Sequence, residues 1–189
     1  MSAERISAGL RALAAGAERA TALAPQVARV AERYAATLRA GGTLWFAGNG
    51  GSAADAQHLA TEYAVRYGRD RRAYAAAALT TDTSLLTAAG NDLGFERVFA
   101  RQVEALCRPG DLLVLHSTSG RSPNLLRAAE EARAKGVAVV GFLGRDGGEL
   151  AGLVDEAVIV PADETSHIQE LHLALEHLVV ECVEEALGG

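Results

Sequence analysis

The sequence contains few cysteines, and their positions exclude one broad class of protein. Cys107 and Cys182 are the two cysteines among 189 residues, and neither belongs to a CxxC pair. That density is too low for a small scaffold held together by disulfides. We therefore expect both thiols to be small buried hydrophobic side chains, with a redox or ligand role as the alternative.

Long apolar runs and an excess of basic residues are also missing. No uncharged apolar run approaches the roughly 18 to 20 residues of a membrane-spanning helix. The first 20 residues carry charges throughout, unlike a signal peptide. The formal net charge of -6 argues against a broad basic surface for nucleic acid or an anionic membrane, although it allows a local anion pocket. We expect a cytoplasmic protein that binds neither nucleic acid nor membrane.

What remains is the composition of one globular domain. Hydrophobic residues make up 49% of the chain and charged residues 22%, which is ordinary for a folded protein. A chain of this length holds one sizeable core, and no repeat, linker or low-complexity segment divides it. We expect a single domain over residues 1–189, with an N-terminal helical segment at 1–40 and an α/β core at 41–189.

Apolar strands alternate with helices along the core. The spacing of apolar residues predicts two helices within residues 1–40, separated near Pro25. Further on, the pattern predicts strand 43–48, helix 52–65 with Ser52 as its N-cap, an alanine-rich strand within 73–80, helices 82–89 and 94–107, strand 112–115, a helix ended by Gly136, strands within 137–144 and 156–161, and helix 166–187. Such alternation is typical of a parallel sheet covered on both faces, so we predict a three-layer α/β/α sandwich.

Two loops follow strands at the edge of the sheet where α/β proteins bind ligands. In GNGGS, at residues 48–52, glycines let backbone N–H groups approach a ligand, and Asn49 and Ser52 add polar side chains. The second loop, a serine-rich loop at residues 117–122, surrounds Gly120 with four hydroxyls at a helix start, those of Ser117, Thr118, Ser119 and Ser122. Such an arrangement favours a phosphate. The alternative is that each loop is a plain strand-to-helix turn with a capping serine. Neither loop matches GxxxxGK[ST] or GxGxxG, so we expect no nucleotide cofactor.

Two pairs of polar residues occur at helical spacing. His58 and Glu62 are four residues apart on the helix after GNGGS, so they share a face and are able to bind a metal or exchange protons. Gln169 and His177 are separated by about 80° around the last helix, so both can face one site, whereas His172 faces another direction. Surface hydrogen bonding is the alternative for such pairs, and spacing alone does not decide between these interpretations.

Five motifs, in this order, resemble those of the bacterial phosphoheptose isomerases, which have the SIS (sugar isomerase) fold. They are GNGGSAADAQH from Gly48, GND from Gly90, STSGRSPN from Ser117, GRDGGELA from Gly144 and HIQELHLALEH from His167. The similarity covers about residues 41–185, and the N-terminal helices match in pattern only. One glycine loop alone would be a weak signal, but the ordered combination is specific.

The resemblance implies an aldose-ketose isomerase that converts sedoheptulose 7-phosphate to D-glycero-D-manno-heptose 7-phosphate through an enediol, the first step toward nucleotide-activated heptoses. It implies that Glu62 and His177 act as acid/base residues. It also implies one zinc ion per subunit, bound by His58, Glu62, Gln169 and His177. Members of the family form homotetramers, so we expect the N-terminal helices to serve oligomerisation and the active sites to borrow residues from neighbouring subunits.

The resemblance also implies the substrate contacts. The phosphate is expected on Ser117, Thr118, Ser119 and Ser122, and the sugar on Asn49, Gly50, Gly51, Ser52, Glu62, Arg66, Asn91, Asp92 and Gln169. One departure concerns His167, because relatives commonly carry arginine there and the segment before it is acidic. We expect Arg66 to compensate by pairing with a carboxylate or phosphate across a subunit boundary; a solvated basic turn is the alternative.

Two other functions fit the same fold. Some SIS proteins are non-catalytic binding proteins, such as the tetrameric factor that associates with the bacterial replication initiator. They tend to replace the glutamate and the terminal histidine, which here are present as Glu62 and His177. SIS isomerases and sensors for other sugar phosphates, such as hexose or arabinose phosphates, usually lack the terminal Gln/His pair. Both functions are alternatives to the heptose phosphate isomerase.

Overall fold

The computed structural model describes residues 2–188 and contains a five-stranded sheet. In chain order the strands are β1 (Leu44–Gly48), β2 (Ala76–Ala78), β3 (Leu112–Ser117), β4 (Ala138–Leu143) and β5 (Glu156–Ile159). Their order across the sheet is β2-β1-β3-β4-β5, and each neighbouring pair is parallel. The carboxyl ends of the strands therefore lie at one edge of the sheet.

Helices cover both faces of this sheet, which confirms the predicted fold class. Within residues 2–188 they are α1 (Ala3–Ala20), α2 (Ala24–Arg39), α3 (Gly51–Ala64), α4 (Thr83–Leu93), α5 (Val98–Leu106), α6 (Pro123–Ala134) and α7 (Thr165–Ala186). Short 3-10 helices occur at Thr21–Leu23, Phe95–Arg97 and Glu149–Gly152. In this part of the chain, no helix combines the length and apolar character that crossing a bilayer requires.

Alternate side chains of the strands enter two separate apolar cores. On one face, Phe46, Val114 and Phe142 pack with buried side chains of α2, α3 and α7. On the other face, Leu113 and Leu115 pack with α5 and α6. Each fully buried side chain of this kind contributes roughly 1.5–3 kcal/mol. The strands are therefore apolar on both faces because each face is covered by helices.

Several helix boundaries differ from the sequence prediction, and glycines account for two of the differences. Gly50, with a φ of 57°, occupies the N-cap position of α3. The helix consequently starts at Gly51, and Ser52 is buried in its first turn, so the prediction that Ser52 caps α3 is wrong. Helix α4 extends to Leu93 because it ends only at Gly94, whose φ is 88°. The prediction ended this helix four residues too early.

The two cysteines lie in different environments. Cys107 is buried as predicted, and burial, reinforced by the nearby Asp111 charge, raises the pKa of its thiol to about 12. Cys182 is exposed and lines an apolar groove between α7 and the N-terminal helices. The prediction of a buried thiol is therefore confirmed for Cys107 and wrong for Cys182.

A buried ion pair anchors the loop that follows α3. Arg71 Nε donates to Glu184 Oε1 at 2.8 Å, and the two side chains are only 2% and 3% exposed. The same carboxylate accepts the backbone N–H groups of Tyr67 and Gly68, each at 3.2 Å. The guanidinium also donates to the Glu62 carbonyl at 2.7 Å, a helix-end carbonyl that has no intrahelical partner. One ion pair thus joins α7, the loop and the end of α3.

The Glu184 carboxylate is stabilised in its charged form. Burial alone would raise its pKa, but the hydrogen bonds from Tyr67 N–H, the Arg71 guanidinium and Gly68 N–H outweigh burial, so the pKa lies below its ordinary value. A carboxylate whose pKa falls on folding stabilises the native state above its unfolded pKa, about 4.3 for glutamate. That stabilisation is lost as the pH falls through the pKa of the folded state.

We expect Glu184→Gln to lower the free energy of unfolding by about 3 kcal/mol at pH 7, because the buried Arg71 loses its counter-charge. The difference from wild type should shrink below about pH 4, where the wild-type carboxylate takes up a proton. Urea unfolding at neutral and acidic pH measures both effects. Glu185→Gln, which removes an exposed carboxylate of the same helix, should cost less than about 0.5 kcal/mol. Equal stability of Glu184→Gln and wild type at pH 7 would contradict the role of the pair.

Candidate active site

The loops after β1 and β3 lie side by side because these strands are neighbours. Gly48 and His116 are register partners at the strand ends. Across the two loops, Asn49 Nδ2 donates to Asn124 Oδ1 at 2.9 Å and Asn124 Nδ2 donates to Asn49 Oδ1 at 2.8 Å. The amide of Asn49, a predicted sugar contact, is therefore engaged by Asn124. No local pattern in the sequence predicts this role for Asn124, since its partner lies 75 residues away.

Close packing around the GNGGS loop excludes a side chain at Gly48 and places the side-chain amide of Gln169 against Gly51. A Cβ on Gly48 would lie 2.5 Å from the carbonyl oxygen of Ser52, and one on Gly51 would lie 2.6 Å from Oε1 of Gln169. Gln169 of α7 thus reaches the start of α3. Gly50 and Gly51 are exposed there, so the first N–H groups of α3 can face a ligand.

The serine-rich loop after β3 uses two hydroxyls to hold its own shape. Ser117 Oγ accepts the N–H of Gly120 at 3.0 Å, and Ser119 Oγ accepts the N–H two residues further on at 3.2 Å. Ser122 is at the N-cap position of α6 but makes no side-chain capping bond, and Thr118 is half-buried. Pro123 has no N–H, and the N–H groups of Leu125 and Leu126 donate to the Ser122 carbonyl at 3.0 and 3.1 Å. The loop therefore offers the Ser122 hydroxyl and the N–H of Asn124 to an anion.

A third loop, residues 144–149, packs tightly against the serine-rich loop. Gly120 has a φ of +62°, and a Cβ there would lie 1.8 Å from the carbonyl oxygen of Gly147. Arg121 donates two hydrogen bonds to Asp146, at 2.9 and 2.6 Å. These bonds, followed by the one from Gly148 N–H, lower the pKa of Asp146 to about 2. The charge of Arg121 is thus already paired within the chain.

Three predicted site residues meet between α3 and α7. His58 Nε2 lies 2.8 Å from Nε2 of His177 and 3.4 Å from Oε1 of Glu62. Ligand atoms of all three lie within 4.8 Å of one another. Two imidazole nitrogens this close either share a proton or face a common cation, and with a carboxylate oxygen they form a donor set that suits Zn²⁺. Tyr67 stacks on His177, with ring centroids 5.3 Å apart. The cluster thus fits a divalent metal.

The remaining predicted metal ligand, Gln169, lies eight residues before His177 on α7, and its side-chain amide lies against Gly51 at the start of α3. Three predicted substrate contacts are exposed elsewhere. Arg66 is exposed in the loop after α3. Asn91 and Asp92 are exposed at the end of α4, where Asn91 Nδ2 donates to Asp92 Oδ1 at 2.7 Å. A single chain therefore brings His58, Glu62 and His177 together, and the place of Gln169 among the metal ligands stays a prediction.

His172 lies on another side of α7, as its helical spacing predicts. It is fully buried, and its ring packs against those of His116 and Phe142 at centroid distances of 6.2 and 6.1 Å. Burial, reinforced by the neighbouring His116, lowers the pKa of His172 to about 3. The imidazole is therefore neutral at physiological pH and belongs to the core.

Comparisons with known proteins relate this architecture to others. The family model for the SIS domain matches residues 10–144. A phosphoheptose isomerase of Roseiflexus sp. (strain RS-1) is 53% identical over 164 residues, which are 87% of this chain and 83% of that protein. Sequence similarity thus extends over most of both chains.

Two solved structures match nearly the whole chain. The phosphoheptose isomerase GmhA from Neisseria gonorrhoeae has a TM-score of 0.91 and 41% identity, covering 96% of this chain and 98% of that one. A phosphoheptose isomerase from Francisella tularensis has a TM-score of 0.94 and 32% identity, covering 98% of this chain and 100% of that one. The similarity therefore includes the helices that carry the His/Glu/His cluster.

We expect Gly120→Ala to destabilise the protein by roughly 1–3 kcal/mol, because a left-handed backbone is strained for alanine and its Cβ would collide with Gly147. Urea unfolding measures the change. Gly9→Ala in α1 is the matched control: a Cβ there meets no atom within 4 Å, so this variant should gain about 0.5–1 kcal/mol of helix propensity. Wild-type stability in Gly120→Ala would show that the two loops are not in close contact.

Proposed function

This chain belongs to the SIS-domain family and, within it, to the phosphoheptose isomerases, and we propose that it converts D-sedoheptulose 7-phosphate to D-glycero-D-manno-heptose 7-phosphate through an enediol. The observation that carries this proposal is the meeting of His58, Glu62 and His177 between α3 and α7. Ketose-aldose conversion needs a base for a carbon-bound proton and a second group that moves a proton between adjacent oxygens. A carboxylate beside two imidazoles supplies both.

The spacing between the loops and the cluster supports a long substrate. The seven residues from Gly51 to His58 span about 10 Å of helix. In an open-chain heptulose 7-phosphate, the carbonyl and the phosphate are at opposite ends of the carbon chain. The substrate can therefore extend from the cluster, where C1 and C2 lie, to the start of α3, and the phosphate end then lies at the adjoining serine-rich loop, which bonds to the GNGGS loop through Asn49 and Asn124.

We assign the phosphate to the serine-rich loop at the start of α6, where hydroxyls, the Asn124 N–H and the helix dipole favour an anion. Ser117 supports this site by holding the Gly120 N–H, and the loop is further braced by residues 144–149. The sugar hydroxyls face the GNGGS loop. The contacts we assign are Thr118, Ser119 and Ser122 for the phosphate, with Ser117 shaping the loop, and Asn49, Gly50, Gly51, Ser52 and Gln169 for the sugar.

Glu62 is the proposed base and His177 the proposed proton shuttle. Glu62 removes the carbon-bound proton and returns it to the neighbouring carbon, while His177 moves a proton between O1 and O2. Zinc held by His58, Glu62 and His177, with Gln169, would polarise the carbonyl and stabilise the enediolate. A carboxylate bound to a metal is a weaker base than a free one. Glu62 therefore acts as base from a position off the metal, or the metal is partly structural.

We also propose a homotetramer with active sites at subunit interfaces. An apolar groove of about 470 Å³ runs between the N-terminal helices and α7, with Val27 and Leu178 among its lining residues. Ile6 and Leu10 of α1 are exposed, and apolar patches of this kind are typical of interfaces. In such an assembly the exposed polar residues would complete a neighbouring subunit's site; they are Arg66, Asn91 and Asp92.

Conversion of sedoheptulose 7-phosphate, followed by NMR, tests the reaction. The purified protein is assayed as isolated, after chelation and after zinc is restored. We expect aldose formation that falls on chelation and returns with zinc. Turnover that is unchanged by chelation would support the isomerase activity and exclude a role for the metal in it. A folded protein without turnover in any state would favour the non-catalytic binding function instead.

We expect Glu62→Gln to lower kcat by about 10²- to 10⁴-fold, because the amide cannot accept the carbon-bound proton. Circular dichroism and light scattering should show unchanged folding and assembly. Glu185→Gln removes an exposed carboxylate from α7 and controls for the change of charge; this variant should keep wild-type kcat. Full turnover by Glu62→Gln would remove this residue from the mechanism.

A further inference from the structure

A buried carboxylate lies next to His177 on α7 and faces the core. Glu176 is fully buried, and its Oε1 lies 2.7 Å from Nε2 of His116, which is also fully buried. The other carboxylate oxygen, Oε2, accepts the hydroxyl of Tyr34 at 3.3 Å. These three side chains belong to α7, β3 and α2. One carboxylate therefore joins the last helix to the sheet and to a second helix.

The imidazole of His116 is itself held between two aromatic rings. Phe46 on β1 and Phe142 on β4 flank it, with centroids 6.3 and 5.7 Å away and an interplanar angle of 19° to each. A ring enclosed in this way has little freedom to turn within a close-packed core. The direction in which Nε2 meets Glu176 is therefore set by the sheet.

Burial alone does not require this polar network. Apolar side chains of similar volume would fill the same space, and replacing a buried ion pair in this way is often neutral or stabilising by about 1–4 kcal/mol. What the network adds is direction, because a hydrogen bond fixes one rotation and one height of a helix while apolar contact tolerates several. Adjacent residues on a helix differ by about 100°, so fixing Glu176 also fixes His177.

We propose that Glu176, through His116 and Tyr34, is a positioning residue that sets the rotation of α7 and thereby aims His177 at His58 and Glu62. The inference rests on the proposed function, in which the three clustered residues move protons and bind zinc. His116 also directly precedes the serine-rich loop, so the same contact links the phosphate end of the site to the cluster.

Three variants distinguish the effect of the Glu176 hydrogen bonds on the position of α7 from the effect of the Glu176 charge. Glu176→Gln removes the charge but keeps an oxygen for His116 and an amide for the Tyr34 hydroxyl, so it should preserve the geometry. The triple variant His116→Leu, Glu176→Leu, Tyr34→Phe removes the network without leaving a buried unpaired partner. Glu185→Gln removes an exposed carboxylate from the same helix and is the matched control.

We expect the triple variant to fold with a Tm at or above that of wild type, yet to bind zinc roughly tenfold to hundredfold more weakly, as is typical when the support of a ligand is lost. Its kcat should fall by a similar factor while KM changes little. Glu176→Gln and Glu185→Gln should stay close to wild type in affinity and kcat. Calorimetry gives the zinc affinity, and the absorption spectrum of bound Co²⁺ reports the ligand geometry.

Wild-type zinc affinity and kcat in the folded triple variant would overturn the proposal. If the wild type binds no zinc, the metal proposal fails instead, and imidazole NMR of the metal-free protein tests the positioning. The His58–His177 contact should then be present in wild type and lost in the triple variant, and a retained contact overturns the inference. If the triple variant does not fold, Tyr34→Phe deletes a single hydroxyl and should shift the same contact in the same direction, whereas no shift counts against the proposal.

Discussion

The candidate site depends on the packing of α7 along α3. Gln169 contacts Gly51 at the start of α3, His177 contacts His58 two turns later, and the end of α7 bonds to the loop beyond α3. The contacts follow the same order in both helices, because each helix begins at the carboxyl edge of the sheet. A displacement of α7 by one helical turn, about 5.4 Å, would separate all of these contacts at once.

Buried carboxyl groups that make hydrogen bonds give this packing a single geometry. Apolar burial supplies most of the stabilisation, but it is non-directional and by itself permits helices to slide. Helix α7 carries two buried carboxylates, Glu176 bonded to His116 and Glu184 bonded to Arg71. A buried polar group is costly unless it meets its partner, so both bonds must form in the same arrangement. The helix is thereby fixed at two points on either side of His177.

Local patterns predict the fold well because buried parallel strands are continuous apolar runs between helices. They fail where a tertiary contact determines the local structure. Ser52 does not cap α3, although its type and position predict that it does. Nothing in the sequence indicates that His116, within an apolar strand, contacts a glutamate 60 residues away. The candidate site likewise has one part that local spacing predicts and one part that only tertiary packing produces. Helical spacing predicts that His58 shares a face with Glu62, whereas the approach of His177 depends on how two helices pack and was expected only from the family resemblance.

The reciprocal amide bonds of Asn49 and Asn124 restrict how these two positions can evolve. Asn124 is buried, and a single replacement of either residue leaves the other amide without its partner, at a cost of about 1–3 kcal/mol. Replacing both with groups that complement each other avoids that cost. Although the two positions are 75 residues apart in the chain, substitutions at them are expected to be correlated across related sequences.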